Sequence, residues 1–108
     1  MFELKREPTH PGEILKDEFL EPLNISQTKL VKDINTSFRA INELVNQKRG
    51  ITPKMALRLA KYFKTSPQLW LNLQNSYDLY RVYKKDEIAI DSIKSVLIDE
   101  SSTDIAMI

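Results

Sequence analysis

The 108-residue chain is predicted to be all-α: five helices around one modest core, with a helix-turn-helix at residues 26–46 and a short C-terminal extension. Three observations carry this. The stretch SQTKLVKDINTSFRAINELVN places apolar residues at helical spacing on both sides of an expected turn residue, Asn35. Thr52-Pro53 and Ser66-Pro67 each join a capping hydroxyl to a proline at the first helical position, the sequence signature of a helix start. The segment GEILKDEFL repeats the helical spacing near the N-terminus through Ile14, Leu15, Phe19 and Leu20.

In chain order, MFELKREPTHPG is expected to be extended, because Pro8 and Pro11 disfavour helix before them while Pro11 suits a helix start. Helix one follows and Pro22 limits it. Helix two is expected from about Gln27 to Asp33, capped by Ser26, with Leu30 and Ile34 facing inward. Asn35 can take the left-handed conformation that a tight turn needs. Helix three, capped by Ser37, is expected from Phe38 to Asn46, with Ile41, Leu44 and Val45 as its inward stripe. Helix four buries Met55, Ala56, Leu59, Ala60 and Phe63, and helix five carries Leu69, Trp70, Leu73, Tyr77 and Tyr80 to about Tyr83. Residues 1–83 thus form the domain with its arm. Residues 84–108 form an extension, partly ordered or engaged with a dimer mate or partner. Within it IAIDSIKSVLI is long enough for a short helix or a strand, and its β-branched content favours a strand. DESSTDIAMI reads as frayed or partner-dependent.

Composition narrows the function classes. No cysteine is present, which excludes disulfides and thiolate metal sites, and the single His10 cannot build a zinc site unaided. No apolar run approaches the ~20 residues needed to span a bilayer, so a membrane partner is not expected and a cytoplasmic location is. None of the patterns GxSxG, HExxH, CxxC or GxxxxGK[ST] occurs, and no cofactor or enzymatic role is implied. Asp17-Glu18 and Asp99-Glu100 are sequence neighbours, expected to point apart on a helix as surface charge, and His10 reads as a polar or capping residue.

The net charge of +1 conceals a strong asymmetry. Residues 27–64 hold nine basic groups against two acids, Asp33 and Glu43, while the first 26 residues and residues 84–108 each hold three basic and six acidic groups. A basic middle between acidic ends suits a phosphate-binding face. With a helix-turn-helix in that block, the second helix is expected to enter a DNA major groove. There Arg39 can donate a bidentate pair to guanine and Asn42 can pair with adenine. Glu43 can accept from the cytosine amino group or pair within its own protein, and Phe38 can pack on thymine methyls or tuck into the core. Gln27, Thr28, Lys48 and Arg49 stand at helix ends and in a loop, where phosphate contacts arise. Trp70, Leu73, Tyr77 and Tyr80 offer more apolar area than a small monomer hides, and are expected at a homodimer interface.

The segments HPGEILKDEFLEPLNISQTKLV and LVNQKRGITPKMALRLAKYFKTSPQLWLNLQNSYDLY closely resemble the HigA-type antitoxins, the VapI group of phage-repressor-like helix-turn-helix proteins, over roughly residues 8–83. The resemblance implies a five-helix, lambda-repressor-like domain that dimerises, binds an inverted-repeat operator by its own promoter and neutralises a HigB-like, RelE-like mRNA-cleaving toxin. Carried over to this chain, Gln27, Thr28, Ser37, Phe38, Arg39, Asn42, Lys48 and Arg49 match positions that face DNA. Two positions depart from the family pattern: Asn35 replaces the usual turn glycine and Val31 replaces a usual alanine. The alternatives are a stand-alone helix-turn-helix regulator without a toxin, or a protein-interaction module that has lost DNA binding.

Overall fold

A computed structural model describes residues 6–97 of the chain. Helix α1 (Pro11–Ile14) runs directly into a π-helical segment, Leu15–Leu20, followed by α2 (Gln27–Ile34), α3 (Phe38–Val45), α4 (Pro53–Phe63), α5 (Pro67–Lys85) and α6 (Glu87–Asp91). The wider i→i+5 winding lets Leu15 and Leu20, five residues apart, both reach the core.

The helix starts follow from local chemistry. The hydroxyls of Ser26, Ser37, Thr52 and Ser66 accept the backbone N–H of Lys29, Ala40, Met55 and Leu69 at 3.0, 3.0, 3.2 and 3.1 Å. At α1 the cap is His10, whose Nδ1 accepts the Gly12 N–H at 2.9 Å, and Pro11 occupies the first helical turn. Each cap satisfies a donor that the helix itself leaves unpaired, a contribution of about 1 kcal/mol. The α2–α3 turn closes on Asn35 in the left-handed conformation, φ 57°, with the Thr36 N–H returning to the Val31 carbonyl at 3.1 Å. Lys64 closes α4 in the same conformation, φ 57°.

The core is continuous across α1 to α5. Leu15, Leu30, Ile41, Leu44, Leu59 and Trp70 are fully buried within it, each large aliphatic side chain contributing about 1.5–3 kcal/mol by leaving water. Gly12 sits where α1 meets α3: a Cβ there would collide with the Leu44 carbonyl. Phe19, Phe63 and Trp70 form an aromatic cluster with centroids 4.9 to 6.4 Å apart. The buried Trp70 indole N–H is satisfied by Thr65 Oγ1 at 2.8 Å. Val31 is half-buried against the core.

Two expectations change. The β-branched segment after Tyr83 is not a strand. α5 continues to Lys85, Glu87–Asp91 is helical, and residues 92–97 form no regular element. Local helix hydrogen bonds, such as Ile90 N–H to Asp86 O at 2.9 Å, need no partner strand, and no strand occurs among the described residues to supply one. Trp70 also leaves the expected dimer surface: it is 0% exposed, its ring filled in by Phe19 and Phe63 of its own chain. The expected extended start lies partly outside the described residues, at 1–5, and DESSTDIAMI lies wholly outside them.

Candidate nucleic-acid interface

The exposed side of α3 is a consequence of its buried side. Ala40, Ile41, Leu44 and Val45 turn inward, which leaves Phe38, Arg39, Asn42, Glu43 and Asn46 on the faces away from the core. Phe38 is 51% exposed, so it does not tuck into the core, and the Arg39 side chain is 82% exposed. Large apolar and cationic groups at the N-terminal end of a recognition helix are placed to meet base edges.

Two side-chain networks order this face. In the first, Asn42 Nδ2 donates to Gln27 Oε1 and Asn46 Nδ2 donates to Asn42 Oδ1, both at 3.3 Å, tying the start of α2 to the middle and end of α3. In the second, Glu43 accepts from Arg39 Nε at 2.9 Å through one oxygen. Its other oxygen accepts from Arg49 Nε at 3.1 Å and Nη2 at 2.7 Å. These hydrogen bonds, from Arg39 first and then Arg49, hold the Glu43 carboxyl below its ordinary pKa. Glu43 is therefore paired within its own protein. Among the described residues, the two terminal nitrogens of Arg39, the edge that makes a bidentate pair, take no hydrogen bond; only its Nε is engaged.

The predicted residues are only partly drawn together. Gln27, Arg39, Asn42 and Arg49 join through the two networks, whereas Thr28 and Lys48 stand exposed beside them. The Ser37 oxygen is committed as the α3 cap, with its hydroxyl proton still able to donate. Arg58, one of the nine cations of the basic block, is used internally: Nη1 donates to the carbonyls of Ile34 and Asn35, each at 2.6 Å. Nearby, Tyr62 donates to Asp33 Oδ2 at 2.6 Å and Lys29 pairs with the same oxygen at 2.9 Å, lowering the Asp33 pKa.

Of the residues expected at a dimer surface, Leu73, Tyr77 and Tyr80 remain half-buried on α5. The Tyr77 ring meets His10 edge-on at 4.8 Å, and the Arg81 guanidinium lies over the Tyr77 ring, 5.4 Å from its centroid. Leu79 and Val82, absent from that expectation, are 56% and 59% exposed.

A helix-turn-helix family model matches residues 17–70. Virulence-associated protein I of Dichelobacter nodosus is 45% identical over 84 residues, covering 78% of this chain and 77% of that protein. The structure of Pseudomonas aeruginosa antitoxin HigA with the higBA promoter superposes with a TM-score of 0.79 at 43% identity, over 83% of this chain and 99% of that one. This chain belongs to the HigA-type helix-turn-helix family. A second Pseudomonas aeruginosa structure, solved in complex with its 18-bp operator DNA, matches with a TM-score of 0.80 at 41% identity, over 85% and 97% of the two chains. HigA-type proteins are DNA-binding regulators and antitoxins, not enzymes. Asn35 makes the left-handed turn between α2 and α3 in this chain. Among the described residues, no helix is long and apolar enough to cross a membrane.

Proposed function

We propose that this HigA-type protein is a dimeric repressor of its own operon that also neutralises a HigB-like, RelE-like mRNA-cleaving toxin. The observation that carries the DNA half is the pre-ordered outer face of α3: Arg39 and Asn42, the two side chains suited to guanine and adenine, are each held by a partner on the same surface. Gln27, Thr28, Ser37, Lys48 and Arg49 then serve as backbone contacts around that centre, and Phe38 as an apolar contact to thymine methyls. Relatives captured with promoter or operator DNA support this reading. Two copies place their α3 helices in successive major grooves ~34–36 Å apart, so the operator is an inverted repeat. The dimer side is assigned to α5, through Leu73, Tyr77 and Tyr80 extended by the exposed Leu79 and Val82.

The toxin half rests on family membership and on the acidic flanks of the chain, each with a net charge of −3, which suit a basic partner surface. Co-expression with the product of any neighbouring gene that encodes a small basic protein tests this half. Restored growth and loss of mRNA cleavage when the two purified proteins are mixed are expected. Cleavage that persists with excess of this chain would leave a regulator without a toxin.

A further inference from the structure

The carboxylate at the centre of a face meant for phosphates needs a physical reason, because a negative charge there is repelled by DNA. Glu43 lies on α3 one turn after Arg39, and both of its oxygens are taken by arginines from two different elements. Its side chain is 27% exposed, against 82% for Arg39 and 43% for Arg49. The acid thus lies beneath the two cations and not in front of them. Glu43 consumes the Nε of Arg39 and leaves the Nη1/Nη2 edge, while on Arg49 it consumes Nε and one Nη2 proton and leaves Nη1. The neighbouring Gln27–Asn42–Asn46 chain confines the same surface from the α2 side.

We propose that Glu43 is a specificity-determining positioning residue of this face. It holds Arg39 and Arg49 as one oriented fork and cancels one of their two charges, restraining binding to DNA that lacks the matching bases. The inference rests on the DNA-binding reading above and deepens it. A tethered guanidinium has already lost rotamer freedom that a free one loses on binding, which favours the geometrically correct base pair. The cancelled charge removes about one phosphate equivalent of sequence-independent attraction. Affinity for DNA in general falls, and the ratio between operator and other DNA rises.

The test compares the full chain with Glu43→Gln, which keeps side-chain length and one acceptor oxygen. Binding is measured from 50 to 300 mM salt on the duplex upstream of its own gene and on an unrelated duplex. In Glu43→Gln, affinity for the unrelated duplex is expected to rise about five- to tenfold near 0.1 M salt, and its log–log salt slope to steepen by about 1. The operator preference is expected to shrink while the melting temperature falls only slightly, because the ion pairs lost are exposed ones. Unchanged affinity and slope on the unrelated duplex would overturn the proposal. So would a selective loss of preference at one C·G pair, which would make Glu43 a direct base reader. In the free proteins, NMR exchange of the Arg39 and Arg49 Nε–H groups gives a DNA-independent check: protection at one or both should fall in Glu43→Gln, and equal exchange in both proteins would contradict the tether. A wild-type chain without operator preference would count against the repressor reading, and the slope on the unrelated duplex would still decide the role of Glu43.

Discussion

His10 shows how one side chain couples helix start, core and pH. It is buried, its Nδ1 must be unprotonated to accept the Gly12 N–H, and Tyr77 covers its ring. Burial lowers its pKa below 6.5, more than the facing carboxylates of Asp78 and Glu13 raise it, with Arg81 adding to the lowering. The unfolded chain therefore takes up the proton first. This contribution to stability is complete above pH 6.5 and is lost as pH falls from there through the depressed native value. Thermal melts at pH 7.5 and 5.0 should show a larger loss for wild type than for His10→Asn, which caps without titrating; equal losses would contradict the assignment. The lowered pKa values of Asp33 and Glu43 add a separate loss at more acidic pH, below about 4. At this scale the sequence shows which residue types can read bases, because Arg39, Asn42 and Phe38 sit opposite an inward stripe. It does not show that Glu43 takes two arginines at once, since one of them arrives from a loop six residues on.

Among the elements, α3 is fixed in place from both ends. α1 presses on it where Gly12 meets Leu44, and Arg58 of α4 ties down the two carbonyls that precede it. Gly12→Ala is predicted to destabilise the fold by about 1–3 kcal/mol, because helix backbones must separate to admit the methyl group. For a chain of this size that lowers the melting temperature by roughly 4–8 °C per kcal/mol. Arg58→Ala is predicted to cost about 1–2 kcal/mol through loss of charged hydrogen bonds to the turn, with operator affinity falling alongside; calorimetry together with a binding titration checks both. Helix starts were readable from Ser26, Ser37, Thr52 and Ser66 because capping is local chemistry. The uses of Gly12 and Arg58 were not, because each depends on a residue more than 20 positions away. The segment after Tyr83 misled for a related reason: β-branched composition favours a strand only where another strand is available to pair with it.

For the whole molecule, the basic block spans α2 to α4, and the exposed apolar residues Leu79 and Val82 of α5 lie outside it, where the proposed dimer contact falls. Leu79→Asp, a change at an exposed position, is predicted to convert dimer to monomer in light scattering while the monomer stays folded, and to weaken operator binding. A dimer that persists would move the interface elsewhere. The central claim is that the outer face of α3 reads DNA. It is tested most directly by a mobility shift on the duplex upstream of the gene at two salt concentrations, with Arg39→Ala beside wild type. A specific complex that weakens with salt is expected, with a loss of about 1–3 kcal/mol, or roughly 5- to 150-fold, in Arg39→Ala. Equal binding by wild type and Arg39→Ala, or no complex at low salt with or without the toxin, would contradict it.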